Sequence, residues 1–107
     1  LRLYPTRFLM EFSFHLGIGP SVDEDNASYF DLQEGIFSNH LIAGHLTADG
    51  KVAHLLRSLA DGELEQTEEL LALRKEAFET MLKFYSVHIP RFNVDASLEI
   101  IRALLYH

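Results

Sequence analysis

Apolar residues near the start of the chain recur at three- and four-residue steps: Leu3, Tyr4, Phe8, Leu9, Phe12 and Leu16. That spacing predicts an amphipathic helix over residues 3–16 whose stripe faces a core. Pro5 is tolerable in a first turn, and Gly17 supplies the stop. Met10 and Phe14 widen the stripe, so this helix is expected to be covered on more than one side. Gly17, Gly19 and Pro20 then break the chain, and SVDEDNAS reads as a polar loop. The period changes next. Tyr29, Phe30 and Leu32 before Gln33-Glu34-Gly35, with Ile36 and Phe37 after it, predict a small hairpin. Two strands alone are marginal in water, so the hairpin must lean on helices.

Residues 39–46 fit neither template. Thr47 can cap a helix running to about Ala60, with Val52, Leu55, Leu56 and Leu59 on one face and Lys51, Arg57 and Ser58 on the other. Asp61-Gly62 ends it. The longest helix is expected over residues 67–87, lined by Leu70, Leu71, Ala77, Phe78, Met81, Leu82 and Tyr85. Pro90 holds Ile89 out of the helical region and sets its end. A last helix, capped by Asp95, is expected over residues 96–106, with Leu98, Ile101, Leu104 and Leu105 inward. Ile89, Pro90 and Phe92 read as a buried corner that folds this helix back onto the long one. His88 reads as a helix-end residue near the last carbonyls. The pattern therefore predicts a mainly α fold, a small helical bundle with one short β-hairpin, in a single domain over residues 1–107.

Charge narrows the function. Nine Lys and Arg against 16 Asp and Glu give a net charge of -7. Nucleic-acid backbones are bound by neutralising phosphates with Lys and Arg, and the positive residues here are scattered along the chain, so direct DNA binding is disfavoured. Asp61, Glu63, Glu65, Glu68 and Glu69 read as a solvated linker and a helix N-terminus whose dipole welcomes acids. With no cysteine among its 107 residues, the chain can hold neither a disulfide framework nor a thiolate zinc site, and a reducing cytoplasmic setting is expected. No apolar run nears the roughly 20 residues of a membrane-spanning helix. The first residue is Leu1, on sequence that already reads as helical, so a longer parent protein is expected.

Catalytic and metal signals are poor. His40, His45 and His54 could serve a metal-dependent hydrolase, but a spacing of five between the first two does not place them on one helix face. Asp23, Asp25 and Glu34 fall at the first, third and twelfth positions of a calcium loop, but Ala27 and Ser28 spoil it. No nucleophile, base and acid set and no phosphate-binding glycine loop is present. Non-enzymatic function follows, with no catalytic, cofactor-binding or metal residue assigned.

Taken together, an Arg-Phe helix ending HLGIGP, then YFDLQEGIF, then a long helix closing in FYSVHIPRF, then SLEII, resemble the C-terminal, mostly helical part of the bacterial RecO family, Bacteroidetes forms in particular. That resemblance implies a recombination mediator in DNA repair, working with RecR and with single-stranded-DNA-binding protein. It also implies an N-terminal OB-fold domain, the main DNA binder, that this chain lacks, so DNA would be met only through the missing domain. Many members carry a four-cysteine zinc knuckle near the position of YFDLQEG, so the hairpin here is expected to be a metal-free replacement. The family's helical part receives the acidic C-terminal tail of the single-stranded-DNA-binding protein. Capture of such a tail needs a cation for its carboxylate and an apolar wall for its terminal ring. Arg7 and Phe8, matching the family's Arg-Phe pair, are the candidate peptide-binding residues. Ala96 and Arg91 depart from the family's lysine and glycine there. Self-association of the fragment, through the face left by the missing domain, is a further expectation, and a stand-alone dimerisation or regulatory domain without a DNA role is the rival.

Overall fold

The computed structural model describes residues 4–24, 26–62 and 68–89 and, for Tyr4, Glu69 and Leu70, the backbone alone. Helix α1 spans Tyr4–His15, followed by β1 (Ser21–Val22), β2 (Tyr29–Asp31), β3 (Ile36–Ser38), β4 (Thr47–Asp49), α2 (Gly50–Ala60), α3 (Glu68–Ala72) and α4 (Arg74–His88). The expectation of a mainly α bundle with one hairpin is overturned by a four-stranded mixed sheet in the order β1-β3-β2-β4. The fold is mixed α and β. The hairpin of β2 and β3 is there, with Phe30 opposite Phe37, but it forms the middle of the sheet rather than an isolated ribbon. β1 adds parallel to β3 from a stretch that reads as a polar loop. β4 adds antiparallel to β2, so Thr47 pairs with Asp31 as a strand residue instead of capping α2. Two strands cannot hold themselves up in water, and four packed against helices can.

The sheet meets the helices through rings. Phe30 and Phe37 stack at 4.6 Å between centroids, and Phe84 of α4 leans on Phe30 at 5.5 Å. All three are fully buried. α2 buries the expected stripe of Val52, Leu55, Leu56 and Leu59, each side chain contributing about 1.5–3 kcal/mol relative to exposure. The long helix expected over residues 67–87 is broken at Leu73 into α3 and α4. α4 ends where Pro90 requires, with Ile89 extended at φ -117° and ψ 109°. The expected helix over residues 96–106, its Asp95 cap, the corner at Pro90 and Phe92, and most of the acidic run lie outside the described residues.

Helix α1 is rotated from its expected setting. Among its described side chains the buried ones are Thr6, Leu9, Met10 and Ser13, two of them short and polar. Ser13 Oγ donates to the Met10 carbonyl at 2.6 Å, so its burial leaves no hydroxyl unpaired. The Tyr85 hydroxyl donates to the Leu9 carbonyl at 2.6 Å and ties α4 to α1. Burial pushes that phenol well above its ordinary value and keeps it a donor. The helix closes as expected at Gly17, which sits at φ +82° with its amide on the Phe14 carbonyl while Ile18 bonds Ser13.

Two residues on, the Phe14 ring lies directly against the Gly19 backbone, where an added Cβ would overlap it. Gly19→Ala is therefore expected to cost about 1–3 kcal/mol in urea unfolding, and Phe14→Ala in the same chain should restore most of it. A Gly19→Ala variant as stable as the parent would show that the ring swings away freely.

Candidate functional site

The solvent face of α1 is aromatic. Residues at steps of four and three share a helix face, and Phe8, Phe12 and His15 follow that rule. Phe8 stacks on Phe12 at 5.6 Å with planes 15° apart, and Phe12 on His15 at 6.2 Å and 17°. Near-parallel rings at that spacing are staggered like steps, so ring area stays in water between them. Phe12 is 40% exposed and Leu16 44%. Phe8 is half-buried against the core. Arg7 flanks this ladder, its Nε donating to Glu11 Oε1 at 3.0 Å in an exposed pair one turn apart. The two candidates thus stand side by side on one helix, Arg7 in water and Phe8 partly withdrawn from it. Phe12 and His15 complete the surface. Their spacing is plain in the sequence, but aromatic residues at core spacing are read inward by default.

A second, polar cluster knots the β2–β3 turn. Asp31 is buried, and its Oδ1 accepts the amides of Gln33 and Glu34 at 2.9 Å each, the habit of an aspartate that opens a turn. Its Oδ2 meets His45 Nδ1 at 2.9 Å. Burial alone would raise the Asp31 pKa. The Glu34 amide, the hydrogen bond and charge of His45 and the Gln33 amide outweigh it and hold the carboxyl below its ordinary 3.8. The loop from β3 to β4 is fastened to the same turn, since Leu46 donates to Gln33 Oε1 and Leu32 to the Leu46 carbonyl, both at 2.9 Å. From α4, His88 Nε2 donates to the Leu32 carbonyl at 2.6 Å. His88 therefore ends its helix as expected, but it reaches the turn instead of the helix carbonyls. Gly35 closes the turn at φ +67°, where an added Cβ would lie within 4 Å of the Phe84 and His88 rings.

A zinc ion does not fit this turn. It has no thiolate to offer, and the facing atoms of Asp31 and His45 are bonded to each other. His40 pairs instead with Glu24 at 3.3 Å, and His54 lies exposed on α2. No three metal-ligating side chains gather among the described residues. No helix among them is long and apolar enough to cross a membrane.

The geometry defines a class first: a small mixed α/β domain, knotted by hydrogen bonds at its central turn and presenting a stacked aromatic helix face. Comparison then gives a relative. The chain is 28% identical over 98 residues to the DNA repair protein RecO of Flavobacterium johnsoniae, covering 90% of this chain and 40% of that protein. The chain spans about two-fifths of that relative's length. No family model matches it, and no solved structure does.

Proposed function

We propose that this chain is the partner-binding part of a RecO-like recombination mediator and serves DNA repair without catalysing a reaction itself. The observation that carries the reading is the similarity to RecO along nearly the whole chain. In this reading an OB-fold domain elsewhere in the parent protein meets DNA, and residues 1–107 meet proteins, RecR and single-stranded-DNA-binding protein among them. The net charge of -7 supports that division, because a phosphate backbone finds few cations here. The outer face of α1 receives the acidic tail. Among the described residues Arg7 engages only Glu11, through Nε, which leaves its Nη donors for a ligand carboxylate.

Titration of a labelled acidic peptide ending in phenylalanine, by fluorescence anisotropy, tests this. Arg7→Ala is expected to weaken binding by about 1–3 kcal/mol, nearer the lower figure because the site is open to water. An unchanged affinity would remove Arg7 from the site. A second reading, a dimerisation domain with no DNA role, draws on Leu41, Ile42 and Leu46, which are 46–59% exposed on the β3–β4 loop. A mass that rises with concentration, together with no affinity for the peptide, would favour it.

A further inference from the structure

We infer that Asp49 is a modification site: the folded chain slowly converts it to isoaspartate through a succinimide formed with Gly50, while Asp61, in the same tripeptide, is protected.

The chain contains Ala-Asp-Gly twice, at Ala48-Asp49-Gly50 and at Ala60-Asp61-Gly62. Aspartate before glycine is the pairing in which this cyclisation is easiest, because no Cβ shields the attacking amide nitrogen. A Cβ on either glycine would meet nothing within 4 Å, so neither site is closed by crowding there. The difference lies in how the fold holds each aspartate.

Asp61 is held at three points. Its amide donates to the Arg57 carbonyl at 3.0 Å, and its Oδ2 accepts from Arg57 Nε at 3.0 Å. The Gly62 nitrogen, which would have to attack, donates to the Leu59 carbonyl at 3.1 Å. Asp49 lies exposed between β4 and α2, and its carboxylate makes no capping hydrogen bond. Gly50 opens α2, so its amide has no helix carbonyl to bond. The backbone favours the same site. Ring closure swings the aspartate Cβ round to the glycine nitrogen about the Cα–C bond. That is a turn of about 60° from ψ 179° at Asp49 and about 120° from ψ -3° at Asp61.

The step needs no reactant but water. The Gly50 nitrogen bonds to Asp49 Cγ, the bond from Cγ to a carboxyl oxygen breaks, and that oxygen leaves as water with the amide proton. Water then opens the ring. Cleavage between nitrogen and Cγ restores aspartate, and cleavage at the backbone carbonyl leaves the chain running through Cγ with a free α-carboxylate. Charge is unchanged, but the main chain gains a methylene where Asp49 pairs with Tyr29 and α2 begins. The product is the substrate class of an isoaspartyl methyltransferase.

The test incubates the whole 107-residue chain for weeks at neutral pH, folded and in urea, and reads isoaspartate by peptide mapping with electron-transfer fragmentation. In the folded chain Asp49 should convert about tenfold faster than Asp61, the factor that opening a helix-end hydrogen bond and an exposed ion pair would impose. In urea the two rates should converge. Asp49→Glu keeps the charge and should abolish conversion there, because the larger ring closes poorly. Equal rates in the folded chain, a faster Asp61, or no isoaspartate at Asp49 overturns the inference. A tenfold gap that persists in urea overturns it as well, by placing the cause in the flanking sequence.

Discussion

Replacing Phe84 by alanine is expected to cost about 3–5 kcal/mol of folding stability. The ring is wholly buried and joins two layers, with Phe30 of the sheet on one side and the His88 ring at 4.5 Å on another. Gly35 approaches it across the β2–β3 turn, so the cavity would open where strand, turn and helix meet. Collapse into that space is blocked by the backbone of the turn, which the Asp31 and Gly35 hydrogen bonds hold fixed. Small domains have about 5–15 kcal/mol in total, so the variant should unfold at a much lower denaturant concentration. Urea unfolding followed by circular dichroism measures it. A loss under about 1.5 kcal/mol would mean that α4 and the sheet are joined mainly by other contacts.

The sequence made some of this legible. The stripe of α2 was plain because its leucines and Val52 repeat at helical spacing and have nowhere to go but inward. The hairpin was plain because Gly35 stands where a turn needs positive φ. The rest failed for identifiable reasons. β1 has two residues and β4 three, too few to show alternation, and β1 is recruited by a parallel pairing that no local pattern announces. Nothing in residues 67–87 is a glycine or proline, so the break at Leu73 left no mark. The phase of α1 was misjudged in part: Leu9 and Met10 are buried and Phe8 packs partly against the core, but Phe12 stands outward and the polar Thr6 and Ser13 are buried. Phe84 lies just outside the stripe drawn for its helix and proved more central than Phe78 within it. Of the candidate pair, Arg7 stands exposed on α1 and Phe8 is partly buried against the core. The stacked ring beyond them and the Asp31–His45 knot, 14 residues apart in sequence, needed three dimensions.

That knot yields the second large effect. Asp31→Ala should destabilise the domain by about 2–4 kcal/mol at neutral pH, since it strips two turn amides and a histidine of one buried acceptor. Asp31→Asn should cost less, because an amide oxygen can still accept from Gln33 and Glu34, and only the charge facing His45 is lost. The dependence on pH has a definite sign. The folded-state pKa of Asp31 lies below its unfolded value near 3.8, so the folded protein prefers the carboxylate. Its contribution is complete above the unfolded value, at pH 5 and higher, and drains away as pH falls through 3.8 toward the lower folded pKa. The gap in stability between the parent chain and Asp31→Asn should therefore be widest from pH 5 upward and narrow steadily toward pH 3. Urea midpoints for both chains at half-unit steps would trace it. A gap that stays constant down to pH 3 would show that the carboxylate is held no better in the fold than in water, and that the turn amides, not the charge, fasten the β3–β4 loop to the centre of the sheet.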